Sequence, residues 1–367
     1  MKILFLVPHL FKHGGVASYY TSLRDNLGLD YVYFFRGNRS SVITKESYLD
    51  YFLDYFRFIK VLNSHKFDLI VINTSLAKIG CTRDAVFIFL LKLFKKKFIV
   101  FFHGWSKGYE IQISSQKKYN SFPIRQFKKA SAIIVLATDF KEVLKSWGFN
   151  QRIYLETTII GDDLLKNFNI NKNKYAVKDK PFTFLFLARI EKSKGVFETI
   201  KLFDSIQKYY SERKFKLLLA GDGTASEELK EYIKKNNIPN IEFLGHIVGS
   251  KKENALLNAH FFLFPSYGEG MPISVLEAMA FGLPVLTTSV GGLKDFFEDG
   301  KMGVLLENLD IEIALKKSLP ILENPKQLAE ISEYNHHYAS EKFKSSEVSK
   351  RLKKIISEVL EYNSSQP

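Results

Sequence analysis

The chain has 367 residues, 46% hydrophobic and 25% charged, with 53 Lys and Arg against 39 Asp and Glu, a formal charge of +14. That length exceeds the roughly 100–200 residues of one domain, so two domains are expected, and the composition excludes a disordered, collagenous or disulfide-stapled chain. A single cysteine, Cys81, excludes an intrachain disulfide and a cysteine-rich metal site; it fits a reducing compartment and is read as inert.

The charge is uneven. Residues 1–165 carry 24 basic and 13 acidic residues, 166–180 carry 5 and 1, and 181–367 carry 24 and 25. A basic first half calls for an anionic partner: nucleic acid, an acidic membrane surface or a phosphorylated substrate. A general lysine bias would not spare the second half.

In chain order, KILFLV reads as a first strand; its short apolar run before Pro8 and His9 is no signal-peptide core. A polar loop with His9 and His13, weaker candidates for chemistry, leads to Gly14 and Gly15. FDLIVIN (67–73), KFIVFFHG (97–104) and SAIIVLAT (131–138) are further strands. The apolar stretch 85–102 is broken by Lys92 and by Lys95, Lys96 and Lys97, so it reads as helix, turn and buried strand; a membrane span needs about 20 apolar residues. YFLDYFRFIK (51–60) and FPIRQFKK (122–129) read as amphipathic helices with a basic-aromatic character suited to lipid headgroups.

The polar segment KNFNINKNKYAVKDK (166–180) is the expected linker. The second half then repeats the opening architecture with FTFLFLARIEKSKG (182–195), followed by strands in KFKLLLAGDG (214–223), IEFLGHI (241–247), HFFLFPS (260–266) and PVLTTSV (284–290). Strands alternating with helical segments predict βαβ units and parallel sheets, an α/β class. The expected domains are 1–165 and 181–337, with a helical tail at 338–367 free to pack back on the first domain. Ligands of open α/β sheets bind beyond the carboxyl ends of strands, so the sites are sought in those loops.

One such loop opens GEGMPISVLEAMAFGLPVLTT (268–288). Pro272 suits the first helical position, and the helix is expected to end at Gly282. The backbone around Gly270, Met271, Pro272 and Ile273 is then a helix N-terminus suited to a diphosphate. Glu269 in the loop and Glu277 inside the helix would be repelled by phosphate, so they suit hydroxyls: Glu277 those of a ribose, Glu269 that of a sugar. The competing reading makes Glu269 a simple helix-end charge and Glu277 a solvated surface residue.

This stretch, with Glu269 and Glu277 followed by Ala278-Met279-Ala280, Gly282, Pro284 and Val285, resembles the signature of retaining nucleotide-sugar glycosyltransferases of the GT-B fold, family 4. The resemblance implies two Rossmann-like doubly wound domains facing across a cleft, the first for acceptor and the second for donor. LARIEKSKG (187–195) is similar to the family's G-R-L-x-x-x-K-G, with Ala188 in place of glycine; Arg189 and Lys194 match the basic pair on the donor diphosphate. Gly221 in AGDG, and His246 and Ile247 in FLGHI, match donor-binding turns. Gly14 and Gly15 match the glycine loop, and His103 a histidine near the reaction centre.

The segment 289–306 is similar to a family motif, with Asp295 for its glutamate, and is read as structural. LETTIIGDD (155–163) departs from the family's I-P-N-G-V-D and keeps only Gly161 and Asp162.

On the resemblance, His103, Glu269, Arg189 and Lys194 are the expected catalytic residues. No cofactor and no metal are expected, since the chain has no Asp-x-Asp and no clustered Cys/His. The absence of Walker and G-x-G-x-x-G motifs weighs against NTPase and dehydrogenase chemistry. The reaction implied is transfer of a hexose or N-acetylhexosamine, from a UDP-sugar in preference, to a hydroxyl of a glycan, lipid-linked or phosphorylated acceptor, as in bacterial surface polysaccharide biosynthesis. The expected location is the cytoplasm, with peripheral contact at the anionic inner face of the membrane and no nucleic-acid partner. The alternatives are a UDP-N-acetylglucosamine 2-epimerase-like enzyme, a non-catalytic glycan-binding protein and a nucleic-acid binder.

Overall fold

The computed structural model describes residues 1–11, 14–37, 46–166, 168–170, 174–175 and 181–364. His13 and most of the 166–180 linker lie outside the described residues. The chain divides into two compact units, Met1–Ile159 with Ser345–Pro367, and Ile160–Lys344.

The first unit is built on six strands, β1 (Lys2–Val7), β2 (Asp30–Phe35), β3 (Leu69–Leu76), β4 (Phe98–Trp105), β5 (Ala132–Val135) and β6 (Arg152–Leu155). They form one parallel sheet in the order β2-β1-β3-β4-β5-β6. The inner strands β1, β3, β4 and β5 each carry a run of buried apolar residues, because a parallel sheet is covered by helices on both faces. Helix Ser345–Ser364 completes this unit. Asn26 donates to Ser345 Oγ at 2.7 Å, Arg351 pairs with the buried carboxylate of Glu156 at 2.7 Å, and Tyr154 donates to Glu358 at 3.0 Å.

The second unit holds β7 (Phe182–Leu187), β8 (Phe215–Ala220), β9 (Ile241–Gly245), β10 (Phe261–Phe264), β11 (Val285–Thr288) and β12 (Gly303–Leu306), all parallel, in the order β12-β11-β10-β7-β8-β9. Residues 338–342, expected to begin the tail, finish the helix Pro325–Lys342 of this unit. Asn335 on that helix donates to the carbonyls of Leu283 and Met302 at 2.9 and 2.8 Å.

Three strands carry no run strong enough to be marked in the sequence: β2, β6 and β12. Each is a sheet edge. Both sheets reverse direction of growth beside their first strand, between β1 and β3 and between β7 and β10, and these switch points are where doubly wound sheets open a crevice.

Candidate functional site

In the second unit the loops after β7 and β10 meet at the switch point. The Tyr267 N–H donates to the Ser193 carbonyl at 3.0 Å, and the Ser266 Oγ lies 3.2 Å from the same carbonyl oxygen. Gly195 makes this approach feasible: its φ is +70°, and a Cβ there would stand 1.7 Å from the Pro265 carbonyl oxygen.

This loop pairing brings two expected site residues together. Lys194 Nζ lies 2.6 Å from Glu269 Oε1, with both side chains mostly buried, and Ser266 Oγ donates to the same oxygen at 2.8 Å. Arg189 is exposed and pairs with Glu191. Gly292 N–H donates to the Gly270 carbonyl at 2.7 Å, so the 289–306 segment props the loop that carries Glu269.

Helix Ile273–Ala280 follows. Pro272 is not its first residue, as expected, but its N-cap: with ψ at 116° it is still extended while its carbonyl accepts from Val275 N–H. The N–H groups of Ile273 and Ser274 thus open the helix with no acceptor within it, a local positive pole suited to an anion. The helix closes with Gly282 N–H donating to Met279 O at 2.8 Å and Leu283 N–H to Ala278 O at 2.9 Å.

Glu277 is only 7% exposed, which removes the reading of a solvated surface residue. Its carboxylate is held at 2.6 Å by Lys252 from helix Ser250–Asn258, a partner that no motif marked. In the loop after β9, His246 is exposed and Ile247 buried. Gly221 has its own packing reason: φ is +144° and a Cβ would fall 1.8 Å from the Ala188 carbonyl oxygen, so glycine lets the ends of β7 and β8 close up.

In the first unit, Gly14 caps helix Gly15–Leu23, and a Cβ on either Gly14 or Gly15 would meet nothing within 4 Å. Among the described residues, the space over the helix start is open. Beside it a pocket of about 270 Å³ is lined by Pro8, Val16, Arg36, Asn73, Thr74 and Arg83, among others. His9 stacks on Phe35 at 5.0 Å.

Behind the pocket lies a buried polar network that the sequence did not reveal beyond His103. Asn73, within β3, is its hub: its Oδ1 accepts from Tyr20 OH and from His103 Nε2, both at 2.8 Å, while its Nδ2 donates to Leu6 O at 3.1 Å. Because Asn73 Oδ1 is an acceptor, Nε2 carries the histidine proton and Nδ1 is left as a buried acceptor without a protein partner. Arg36 donates to the Asn73 carbonyl and to Asp84 Oδ1, the latter at 2.6 Å, and Arg83 holds the same carboxylate at 2.8 Å. Burial alone would raise the Asp84 pKa, but the two guanidiniums outweigh it and hold the carboxyl below its ordinary value.

His103 is neutral at physiological pH. Burial first, and then the charge of Arg36, push its pKa from 6.5 down to about 3. A histidine that charges only in the unfolded chain removes stability as pH falls from about 6.5 toward 3, by up to about 1.4 kcal/mol per pH unit. Both tryptophans, Trp105 and Trp147, belong to this unit, so their fluorescence reports its unfolding alone. The urea midpoint of that signal is expected to drop between pH 7 and pH 5, and to drop less in His103→Gln.

Cys81 is buried under β3, and burial pushes its thiol up to about 12, which makes it unreactive. Among the described residues no group of three or more His, Cys, Asp or Glu is placed to hold a metal ion, and no helix is long and apolar enough to cross a membrane.

Residues 167–338, nearly all of the second unit, match the family of glycosyl transferases group 1. The chain carries a group 1 glycosyltransferase domain. The loops holding Lys194 and Glu269 and the helix holding Glu277 all lie within that domain. An uncharacterized glycosyltransferase of Methanocaldococcus jannaschii is 24% identical over 303 residues, 75% of this chain and 73% of that one. A Campylobacter jejuni alpha-1,4-N-acetyl-D-galactosaminyltransferase, named for a diNAcBac-PP-undecaprenol-linked substrate, is 27% identical over 60% of this chain and 61% of its own length. Among solved structures, Anabaena HepE in complex with UDP and glucose superposes with a TM-score of 0.73 over 97% of this chain and 99% of its own, at 16% identity. The fold of the chain is therefore GT-B, an α/β architecture with two parallel six-stranded sheets.

Proposed function

We propose that the protein is a retaining glycosyltransferase that moves a hexose or N-acetylhexosamine from a UDP-sugar to a hydroxyl of a glycan or lipid-linked acceptor, in the assembly of a bacterial surface polysaccharide, without a metal on the diphosphate. The observation that carries this reading is the Lys194–Glu269 pair at 2.6 Å, set at the switch point beside a helix whose first N–H groups are open. A cation, a carboxylate and a helix N-terminus in one loop cluster suit the three parts of a sugar nucleotide's reactive end: diphosphate charge, sugar hydroxyl and phosphate oxygens.

In this reading the helix start at Ile273, with Arg189 and Lys194, neutralises the diphosphate and stabilises it as it leaves. Glu269 holds a hydroxyl of the transferred sugar, and Glu277, steadied by Lys252, holds the ribose hydroxyls. The bond between the anomeric carbon and the β-phosphate oxygen breaks as the acceptor oxygen bonds to that carbon on the same face. The acceptor proton passes to the departing phosphate. No carboxylate is assigned as a nucleophile. His103, neutral and with Nδ1 open, positions the sugar and tolerates the developing positive charge. The name of the Campylobacter relative supports a lipid-linked acceptor, and the UDP and glucose bound to HepE support a UDP-sugar donor.

Incubating the protein with a panel of nucleotide sugars and undecaprenyl-linked or free glycan acceptors tests the proposal. Acceptor-dependent release of nucleoside diphosphate, with a product that keeps the donor's anomeric configuration, is expected. Conversion of a UDP-sugar to its epimer without acceptor would replace the reading with that of an epimerase.

A further inference from the structure

The helix Lys78–Leu93 buries one side, Cys81, Asp84, Ala85, Phe87, Ile88 and Leu91, against the first unit's sheet. A surface helix of that kind ordinarily turns a polar face outward. Here the outward positions recur at three and four residues as Ile79, Thr82, Val86, Phe89 and Leu93. Ile79 is 77% exposed, Leu93 62% and Phe89 43%. The stripe runs about 21 Å at about 1.5 Å per residue. It continues onto the neighbouring helix Phe122–Phe127, where Phe122, also 43% exposed, lies with its ring 6.4 Å from that of Phe89.

The charge around the stripe has one sign. From Lys78 to Lys129 the chain carries twelve Lys and Arg and two Asp and Glu. Both acids are buried, Asp84 between two arginines and Glu110 beneath Lys107. Nine of the twelve cations are exposed, including Lys92, Lys95 and Lys97 at the end of the striped helix and Arg125 beside Phe122. The sequence had marked 51–60 and 122–129 for lipid contact; the apolar face on 78–93 was not foreseen, because its outward residues look like core in the primary structure.

From this we infer that the striped helix and helix Phe122–Phe127 form a docking face for an anionic lipid bilayer, with Ile79, Phe89, Leu93 and Phe122 entering the acyl boundary and the surrounding lysines on the headgroups. An apolar stripe rimmed by cations is the chemistry that partitions into a negatively charged interface. A second copy of the chain is a poor occupant, since a symmetric contact would set the same cations against each other. The face holds the protein peripherally, as no described helix is fit to span. It is independent of the transfer reading: vesicle binding without sugar turnover would keep the face and sink the function, and turnover without vesicle binding would do the reverse.

Flotation of the full chain with vesicles of phosphatidylglycerol and phosphatidylcholine in equal parts, and of phosphatidylcholine alone, tests the inference. Binding to the anionic vesicles at least tenfold stronger than to neutral ones is expected, with loss as salt rises and the screening length drops from about 10 Å at 0.1 M to about 3 Å at 1 M. The double variant Ile79→Glu/Leu93→Glu should reduce binding at least tenfold with unchanged tryptophan unfolding, whereas Ile313→Glu, an exposed apolar site in the second unit, should not. Equal binding by the stripe variant, or no preference for anionic lipid, overturns the inference. So does capture by soluble polyglutamate in the absence of vesicle binding, which would assign the face to an acidic protein.

Discussion

Lys194→Met is expected to lower kcat/KM for sugar transfer by about 10²–10³, or about 2.7–4 kcal/mol of transition-state stabilisation, the range for removing one group aimed at developing charge. The loss should fall on kcat more than on KM. Lys194 is one of several groups that would hold the ground-state diphosphate, but the leaving oxygen gains charge only as the glycosidic bond breaks. Removing the cation also strands Glu269, which keeps only Ser266 Oγ at 2.8 Å among the partners seen here. The double variant Lys194→Met/Glu269→Gln removes that stray charge while leaving an oxygen for Ser266. If activity returned in the double variant, the pair would be structural and Lys194 would not act on the leaving group. Initial rates for the two single variants and the double variant, with thermal unfolding of each, decide between these outcomes.

The second large effect concerns stability. Asp84→Asn should destabilise the first unit by about 3–5 kcal/mol, the cost of breaking a buried ion pair and leaving its partner uncompensated. Two guanidiniums share this carboxylate, Arg36 at 2.6 Å and Arg83 at 2.8 Å, and asparagine matches its shape without its charge. Against a total stability of about 5–15 kcal/mol for a domain, that loss is severe. Since Arg36 also holds the Asn73 carbonyl, the variant should loosen the hub that orients Tyr20 and His103. Urea unfolding followed by tryptophan fluorescence reads the first unit alone. The Asp84 carboxyl titrates below its ordinary 3.8, so the deficit should be complete at neutral pH and shrink as pH falls through and below that value. A deficit below about 1 kcal/mol at pH 7 would mean that water or rearrangement compensates the arginines.

How far the molecule could be read from its residues depended on burial. Strands such as FTFLFL and KFIVFF sit inside parallel sheets, are covered on both sides and so appear as unbroken apolar runs. The edges β2, β6 and β12 do not. In β2 the sequence DYVYFF leaves Val32 and Phe35 exposed, and RIYL and GVLL are only four residues long. The same rule misled in reverse at helix Lys78–Leu93, where apolar residues on both sides hid an exposed stripe.

At the candidate site, groups near one another in sequence were visible and groups joined only by the fold were not. Glu269, Glu277 and the helix start lie within one short segment. Lys252, 25 residues upstream of Glu277, and Asn73, 30 residues before His103, reach their partners only once the strands are aligned. Nothing in the sequence around Arg36 and Asp84 announces that both will be buried.

The central claim is that the loops after β7 and β10, with helix Ile273–Ala280, hold a nucleotide diphosphate sugar. Calorimetric titration of UDP and a set of UDP-sugars into the wild-type protein and Glu277→Gln tests it most directly. Saturable binding of at least one UDP-sugar is predicted, weakened about tenfold or more in the variant, a loss of about 1.4 kcal/mol. Removal of the ribose 2′-hydroxyl from the nucleotide should weaken wild-type binding and make little further difference to Glu277→Gln. Absence of binding by any nucleotide diphosphate sugar, or equal affinity in wild type and variant, would contradict the account.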